Sequence, residues 1–142
     1  MPYTGRESTV PPGENSPRVL IVEDDQDGRR MYAEWLTGAG FRVEQAHNGL
    51  QALDRALAVL PDIVVTDLNI PGIDGFELTK RLKQDQRTSA VPVLAVTGYA
   101  AFASDPDRAL RAGCDAVLPK PCGPDELESA IRSLIEPGSR RA

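Results

Sequence analysis

Short runs of aliphatic and β-branched residues alternate with segments of helical periodicity from Val19 onwards. This alternation predicts repeated strand and helix units, and therefore a parallel sheet. Most of the runs are apolar without interruption, which is typical of strands that helices cover on both faces. The predicted strands are residues 18–22, 41–46, 62–66, 92–96 and 116–118.

Apolar residues recur at intervals of three and four between and after these strands, as expected for amphipathic helices. Three such stripes are complete: Met31, Tyr32, Trp35 and Leu36; Leu50, Leu53, Leu57 and Leu60; and Leu127, Ala130, Ile131, Leu134 and Ile135. Residues 74–84 and 101–112 have incomplete stripes and are predicted to be helical as well. Helix ends are expected at Gly38 and Gly40, at Pro61 and at Gly113.

Five strand and helix units in about 120 residues favour an open, doubly wound α/β sheet, because a closed barrel of this kind needs eight units. Residues 1–17 are rich in proline and glycine, and we interpret them as a flexible extension. The expected domain therefore spans residues 18–136, followed by a short tail at 137–142 and no output domain.

The composition agrees with one globular domain: the chain has 142 residues, of which 41% are hydrophobic and 26% charged. The net charge is −5 and the basic residues are scattered, which argues against nucleic-acid binding. No uncharged stretch is long enough for a membrane-spanning helix. Two cysteines and the lack of a signal-like N-terminus favour the cytoplasm.

Ligands of open α/β sheets bind beyond the carboxyl ends of the strands, so the residues that follow each strand are the candidate site. Three of the predicted strands are followed by Asp67, by Thr97 and by Lys120. The first is followed by Glu23, Asp24 and Asp25. The second is followed by no acidic residue, and we expect it at the edge of the sheet.

Clustered carboxylates disfavour one another's ionisation, and a hard cation such as Mg²⁺ relieves that repulsion. Glu23, Asp24 and Asp67 fit such a site. A carboxylate can also attack phosphorus to form an acyl phosphate, and Asp67 suits this role best as the single carboxylate after a central strand. Lys120 and Thr97 would then balance the charge of the phosphoryl oxygens.

Several polar residues have simpler interpretations. Aspartates after strands often cap helices, which we expect for Asp25 and Asp74. His47 has no cysteine or aspartate partners nearby in the sequence and is interpreted as a surface histidine. Cys114 and Cys122 lack the spacing of metal ligands and are expected to be free thiols.

Four motifs together resemble the receiver domain of response regulators in two-component signalling. They are the run Val-Leu-Ile-Val-Glu-Asp-Asp at 19–25, the stretch Asp-Leu-Asn-Ile-Pro-Gly-Ile-Asp-Gly at 67–75, Val-Thr-Gly at 96–98, and Lys-Pro at 120–121. The resemblance covers residues 18–135. It implies a flavodoxin-like fold, with a five-stranded parallel sheet in the order 2-1-3-4-5 and five helices.

The resemblance also implies roles for individual residues. Asp67 would accept a phosphoryl group from a histidine kinase or a histidine phosphotransfer protein. Asp24, Asp67 and the backbone carbonyl of Asn69 would hold Mg²⁺, with Glu23 acting mostly through water. Lys120 would contact the phosphoryl group and form a cis peptide bond with Pro121, while Thr97 would move towards it.

Two positions depart from the family pattern. Val117 stands where an aromatic residue commonly changes rotamer together with the threonine, and Cys122 stands where a phenylalanine usually follows Lys-Pro. These departures affect how phosphorylation is transmitted to a partner. Tyr99 and Asn69 resemble positions that tune dephosphorylation in the family.

Three hypotheses follow. The first is a phosphoacceptor switch that phosphorylates itself from a donor, loses the group slowly, catalyses nothing else and binds a downstream protein that the sequence does not identify. The second is a phosphohydrolase or phosphotransferase that acts on small molecules through an aspartyl phosphate. It is disfavoured because Asn69 stands where such enzymes often carry a second aspartate. The third is a degenerate receiver that binds partners without phosphorylation. The sequence leaves open whether phosphorylation produces a homodimer.

Overall fold

The computed structural model describes residues 12–98, 105 and 107–136. Its centre is a sheet of five parallel strands in the order β2-β1-β3-β4-β5. The strands are β1 (Arg18–Val22), β2 (Arg42–Ala46), β3 (Ile63–Thr66), β4 (Val93–Thr97) and β5 (Ala116–Pro119). The predicted fold and strand order are confirmed, and β2 lies at an edge as expected.

Five helices lie within the described residues. They are α1 (Gln26–Gly38), α2 (Gly49–Val59), α3 (Gly75–Gln84), α4 (Arg108–Ala112) and α5 (Pro124–Ile135). Asp25 and Asp74 cap α1 and α3 as predicted, because their carboxylates accept hydrogen bonds from the backbone of Gly28 and Glu77 at 2.7 and 2.8 Å. Of the predicted helix at 101–112, residues 101–104 and 106 lie outside the described residues.

The predicted helix ends agree with the structure to within one or two residues. Helix α1 ends at Gly38, and α2 ends at Val59, just before Leu60 and Pro61. Gly113 follows α4 with a φ of 113°, a left-handed conformation that glycine adopts without strain. Before β1, the carbonyls of Ser16 and Pro17 accept hydrogen bonds from the side chain and the backbone of Arg42 at 2.8 and 2.9 Å, so contacts with the sheet begin two residues before the strand.

Two apolar layers cover the sheet because alternate side chains of each strand point to opposite faces. On one face, Leu20, Val64 and Ala95 pack with helices α2, α3 and α4. On the other, Ile21, Val65 and Val96 pack with α1 and α5. Burial on both faces explains the uninterrupted apolar runs of the sequence. Because all five strands are parallel, their carboxyl ends lie at one edge of the sheet.

No helix among the described residues has the length and hydrophobicity needed to cross a bilayer.

Candidate functional site

Four side chains from four strand ends meet at the carboxyl edge of the sheet. The Lys120 ammonium donates hydrogen bonds to Glu23 Oε1 and to Asp67 Oδ2, both at 2.8 Å. The Thr97 hydroxyl donates to Asp67 Oδ1 at 3.0 Å. The structure therefore brings together the predicted acceptor, hydroxyl and ammonium groups, together with one of the predicted metal-site carboxylates.

Backbone hydrogen bonds between neighbouring strands place these groups at one level. Asp67 N–H donates to the Val22 carbonyl, and Lys120 N–H donates to the Thr97 carbonyl, each at 3.1 Å. Asp67 and Lys120 thus each stand one residue beyond the last paired position of their strands. Asp67 is held next to the residues that follow β1, and Lys120 is held next to Thr97.

The chain after β3 folds back onto Asp67, and Gly75 makes that possible. A Cβ atom at this position would lie 2.5 Å from the Asp67 carbonyl oxygen and 2.6 Å from Leu68 Cα. Such contacts are far too short, so a side chain here would push α3 away from the site. Sequence reasoning assigned no role to Gly75, because only the packed loop shows how close the two segments come.

Lys120 remains charged at this site. Burial by itself would lower the pKa of the ammonium, but hydrogen bonds and attraction from Asp67 and Glu23 outweigh it and raise the pKa above its ordinary value. A single cation therefore balances two carboxylates, of which Glu23 is the more deeply buried, with a side chain only 5% exposed.

Glu23 has a structural task that the sequence did not indicate. Its Oε1 atom accepts from Lys120 at 2.8 Å, and its Oε2 atom accepts from Asp25 N–H at 3.1 Å. Both oxygens are therefore engaged, and Glu23 anchors the lysine. The signal that could have shown this is the rarity of buried glutamates without a cationic partner.

Asp24 and Asn69 lie beside this cluster and are exposed. Asn69 N–H donates to Asp67 Oδ1 at 3.1 Å, which holds the loop that carries the Asn69 carbonyl next to the acceptor. The described residues contain no group of three or more histidine, cysteine or acidic side chains arranged to hold a metal alone. A pair of carboxylates with a backbone carbonyl instead fits Mg²⁺, which keeps several waters and takes phosphate oxygens as ligands.

The two departures from the family pattern lie on opposite faces of the sheet. Val117 is partly buried against the layer formed by α2, α3 and α4. Cys122 packs in the other layer, which also contains Tyr32. Burial raises the pKa of the Tyr32 hydroxyl to about 12, so this group stays protonated next to the site.

The Lys120–Pro121 peptide bond is cis. Cys114 and Cys122 are free thiols, as predicted. His47 is exposed, and its Nδ1 atom lies 3.0 Å from Gln51 Oε1, in agreement with a surface role. Tyr99 lies outside the described residues.

Comparisons with known proteins agree with this geometry. The family model for the response regulator receiver domain matches residues 19–132. The polar-differentiation response regulator DivK of Brucella anthropi is 33% identical over 117 residues, which are 82% of this chain and 94% of DivK.

Solved structures of this kind are similar as well. A putative response regulator from Chloroflexus aurantiacus matches 84% of this chain and 98% of its own, with a TM-score of 0.79 and 33% identity. The receiver domain of the sensor histidine kinase PA1611 from Pseudomonas aeruginosa, determined with magnesium in its active-site cleft, has a TM-score of 0.78 and 28% identity, with 84% and 98% of the two chains covered.

Proposed function

Because the chain belongs to the response-regulator receiver family, we propose that it is a phosphoacceptor switch that uses Asp67. The phosphoryl donor is a phosphohistidine of a histidine kinase or a histidine phosphotransfer protein, and the reaction depends on Mg²⁺. The phosphorylated form then signals by binding a downstream protein in the cytoplasm. Apart from its own phosphorylation and slow dephosphorylation, the protein catalyses no reaction.

The observation that carries this proposal is the set of donors around the Asp67 carboxylate. Lys120 donates to one oxygen, while Thr97 and the backbone of Asn69 donate to the other. These contacts orient the carboxylate at the open edge of the sheet, with its side chain 11% exposed. Such preorganisation is the main requirement of phosphoryl transfer, which needs positioning and charge neutralisation more than acid–base chemistry.

In the transfer step, an Asp67 oxygen attacks the phosphorus atom and forms the P–O bond of the acyl phosphate. The P–N bond of the phosphohistidine breaks, and its electron pair stays on the imidazole nitrogen, which takes a proton from solvent. Bound Mg²⁺, held by Asp24, Asp67 and the Asn69 carbonyl with Glu23 reaching it through water, would neutralise charge on the phosphoryl oxygens.

Lys120 and Thr97 respond to the new group. Glu23 keeps the Lys120 ammonium within reach of Asp67, so the same cation can pair with the phosphoryl oxygens. The Thr97 hydroxyl, which now donates to Asp67 Oδ1, can donate to a phosphoryl oxygen instead. That exchange moves the end of β4 and is the first step of the switch.

Intact mass spectrometry after incubation with acetyl phosphate and Mg²⁺ tests the proposal. We expect one phosphoryl adduct on the natural protein and none on Asp67→Asn. No adduct should form when EDTA removes the Mg²⁺ before acetyl phosphate is added. Asp62→Asn, at the opposite edge of the sheet, is the matched control and should still form the adduct.

The opposite result has a clear meaning. If the natural protein binds Mg²⁺ but gains no adduct and does not bind beryllofluoride, the switch is excluded. The protein would then be a receiver that binds its partners without phosphorylation, with Val117 and Cys122 in place of the usual aromatic residues.

A further inference from the structure

A groove of about 930 Å³ runs between helices α3 and α4, and none of its lining residues belongs to the phosphoacceptor site. From α3 it is lined by Phe76, Lys80 and Lys83, and from α4 by Arg108 and Arg111. Lys80 and Lys83 are three residues apart, as are Arg108 and Arg111. Since residues three apart share one face of a helix, the groove is flanked by two facing rows of cations.

These cations are only partly neutralised. Arg111 pairs at 2.7 Å with Asp105, which also lines the groove, and Lys83 pairs with Asp115 at 2.9 Å. Lys80 and Arg108 have no ion-pair partner among the residues that the structure describes. The groove is therefore positive on the surface of a chain whose net charge is −5.

Arg108 is held in place by an aromatic ring. Its guanidinium carbon lies 3.8 Å from the centre of the Phe76 ring, and Phe76 is only 6% exposed. This cation–π contact restricts the position of the guanidinium, and no hydrogen bond from its N–H groups to another described residue is seen. A fixed guanidinium loses less entropy when it binds a carboxylate.

We propose that this groove binds an acidic helical segment of a protein partner. The groove is open along its length, whereas sites for small molecules enclose most of the ligand. Two rows of cations, each spaced by about one helical turn, instead match glutamates that recur every three or four residues along a helix. Binding of this kind does not depend on phosphorylation of Asp67, so the unphosphorylated protein suffices for the test.

The probe is a fluorescein-labelled, alanine-based helical peptide with glutamates repeated at positions i, i+3 and i+7. Its affinity is measured by fluorescence anisotropy at an ionic strength of about 0.15 M, where charges more than about 8 Å apart are largely screened. We expect the double variant Lys80→Glu and Arg108→Glu to bind at least about tenfold more weakly than the natural protein. A peptide with glutamine in place of glutamate should not bind.

The matched control is the double variant Arg30→Glu and Arg55→Glu. It changes the net charge by the same amount, and both arginines are exposed residues outside the groove and outside helices α3 and α4. We expect its affinity to stay within about twofold of the natural protein, because screening limits the effect of distant charges. Thermal unfolding establishes that all variants are folded, and Lys80→Gln with Arg108→Gln replaces the reversal if that variant does not fold.

Three results would overturn the proposal. Equal losses of peptide affinity in the two double variants would show that binding depends only on the net charge of the protein. Lack of binding by the natural protein would exclude an acidic helix as the ligand. Displacement of the bound peptide by millimolar pyrophosphate at constant ionic strength, but not by sulfate, would identify a site for a small phosphate ligand instead.

Discussion

Carboxylates lie at both the amino-terminal and the carboxyl-terminal edge of the sheet, but they have different roles there. At the amino-terminal edge, Asp62 accepts a hydrogen bond from Arg18 N–H at 2.8 Å, and Asp115 accepts one from Val93 N–H at 2.8 Å. At the carboxyl-terminal edge, Asp67 accepts from the side chains of Thr97 and Lys120.

The difference follows from the direction of parallel strands. At the amino-terminal edge the carboxylates satisfy backbone donors at the first residues of β1 and β4, and these contacts stabilise the fold. The partners of Asp67 at the other edge are mostly side-chain donors that can exchange one acceptor for another. One residue type is therefore structural at one edge and chemically available at the other.

Replacing the lysine at each edge should separate the structural role of one edge from the chemical role of the other most clearly. Lys120→Gln removes the cation that faces the phosphoryl oxygens, so the rate of phosphorylation by acetyl phosphate should fall about a hundredfold. Lys83→Gln removes a cation that pairs with Asp115 at the other edge and should leave the rate within about twofold. Time-resolved intact mass spectrometry measures both rates, and equal rates in the two variants would contradict the comparison.

Removal of the aspartate at each edge should affect stability more at the amino-terminal edge than at the carboxyl-terminal edge. Asp115→Ala leaves Val93 N–H without its acceptor and Lys83 without its ion-pair partner, and we expect the free energy of unfolding to fall by about 1–2 kcal/mol. Asp67→Ala leaves Lys120 paired with Glu23, so it should change the free energy by less than about 1 kcal/mol. Urea denaturation measures both values. A larger loss in Asp67→Ala would show that the phosphoacceptor edge also holds the fold together.

The two thiols offer a smaller test at the same two edges. Cys114 precedes β5 and is buried, whereas Cys122 follows it and is partly exposed. Burial raises the pKa of both thiols above the ordinary value of a cysteine, so less thiolate is present at pH 8 than in an unfolded chain.

We therefore expect both thiols to react more slowly with Ellman's reagent than free cysteine does. Cys122 should react several-fold faster than Cys114, and both rates should rise as the pH increases beyond 9. Single Cys→Ser variants show which of the two reaction rates belongs to which thiol. If Cys122 reacts as fast as free cysteine at pH 8, its thiol is not shielded by the packing around Tyr32.

Much of the fold could be predicted because its signals are local. The apolar runs of β1, β3 and β4 appear in the sequence almost residue for residue, and Asp25 and Asp74 show where helices begin. The predicted starts of β2, β3 and β4 are each one residue too early, and for β2 the predicted first residue is Phe41. This residue instead donates its N–H to the Leu36 carbonyl at the end of α1, and periodicity does not detect such a contact.

The sequence by itself determined the strands and the residues that follow them, since these depend on patterns within a few neighbouring positions. It also determined the parallel direction of the sheet, because strands and helices alternate along the chain. Only the tertiary structure decided how those residues pair. Glu23 and Lys120 are 97 positions apart, and their contact depends on strand order and on the burial of Glu23. The basic groove likewise exists only because α3 and α4 pack side by side.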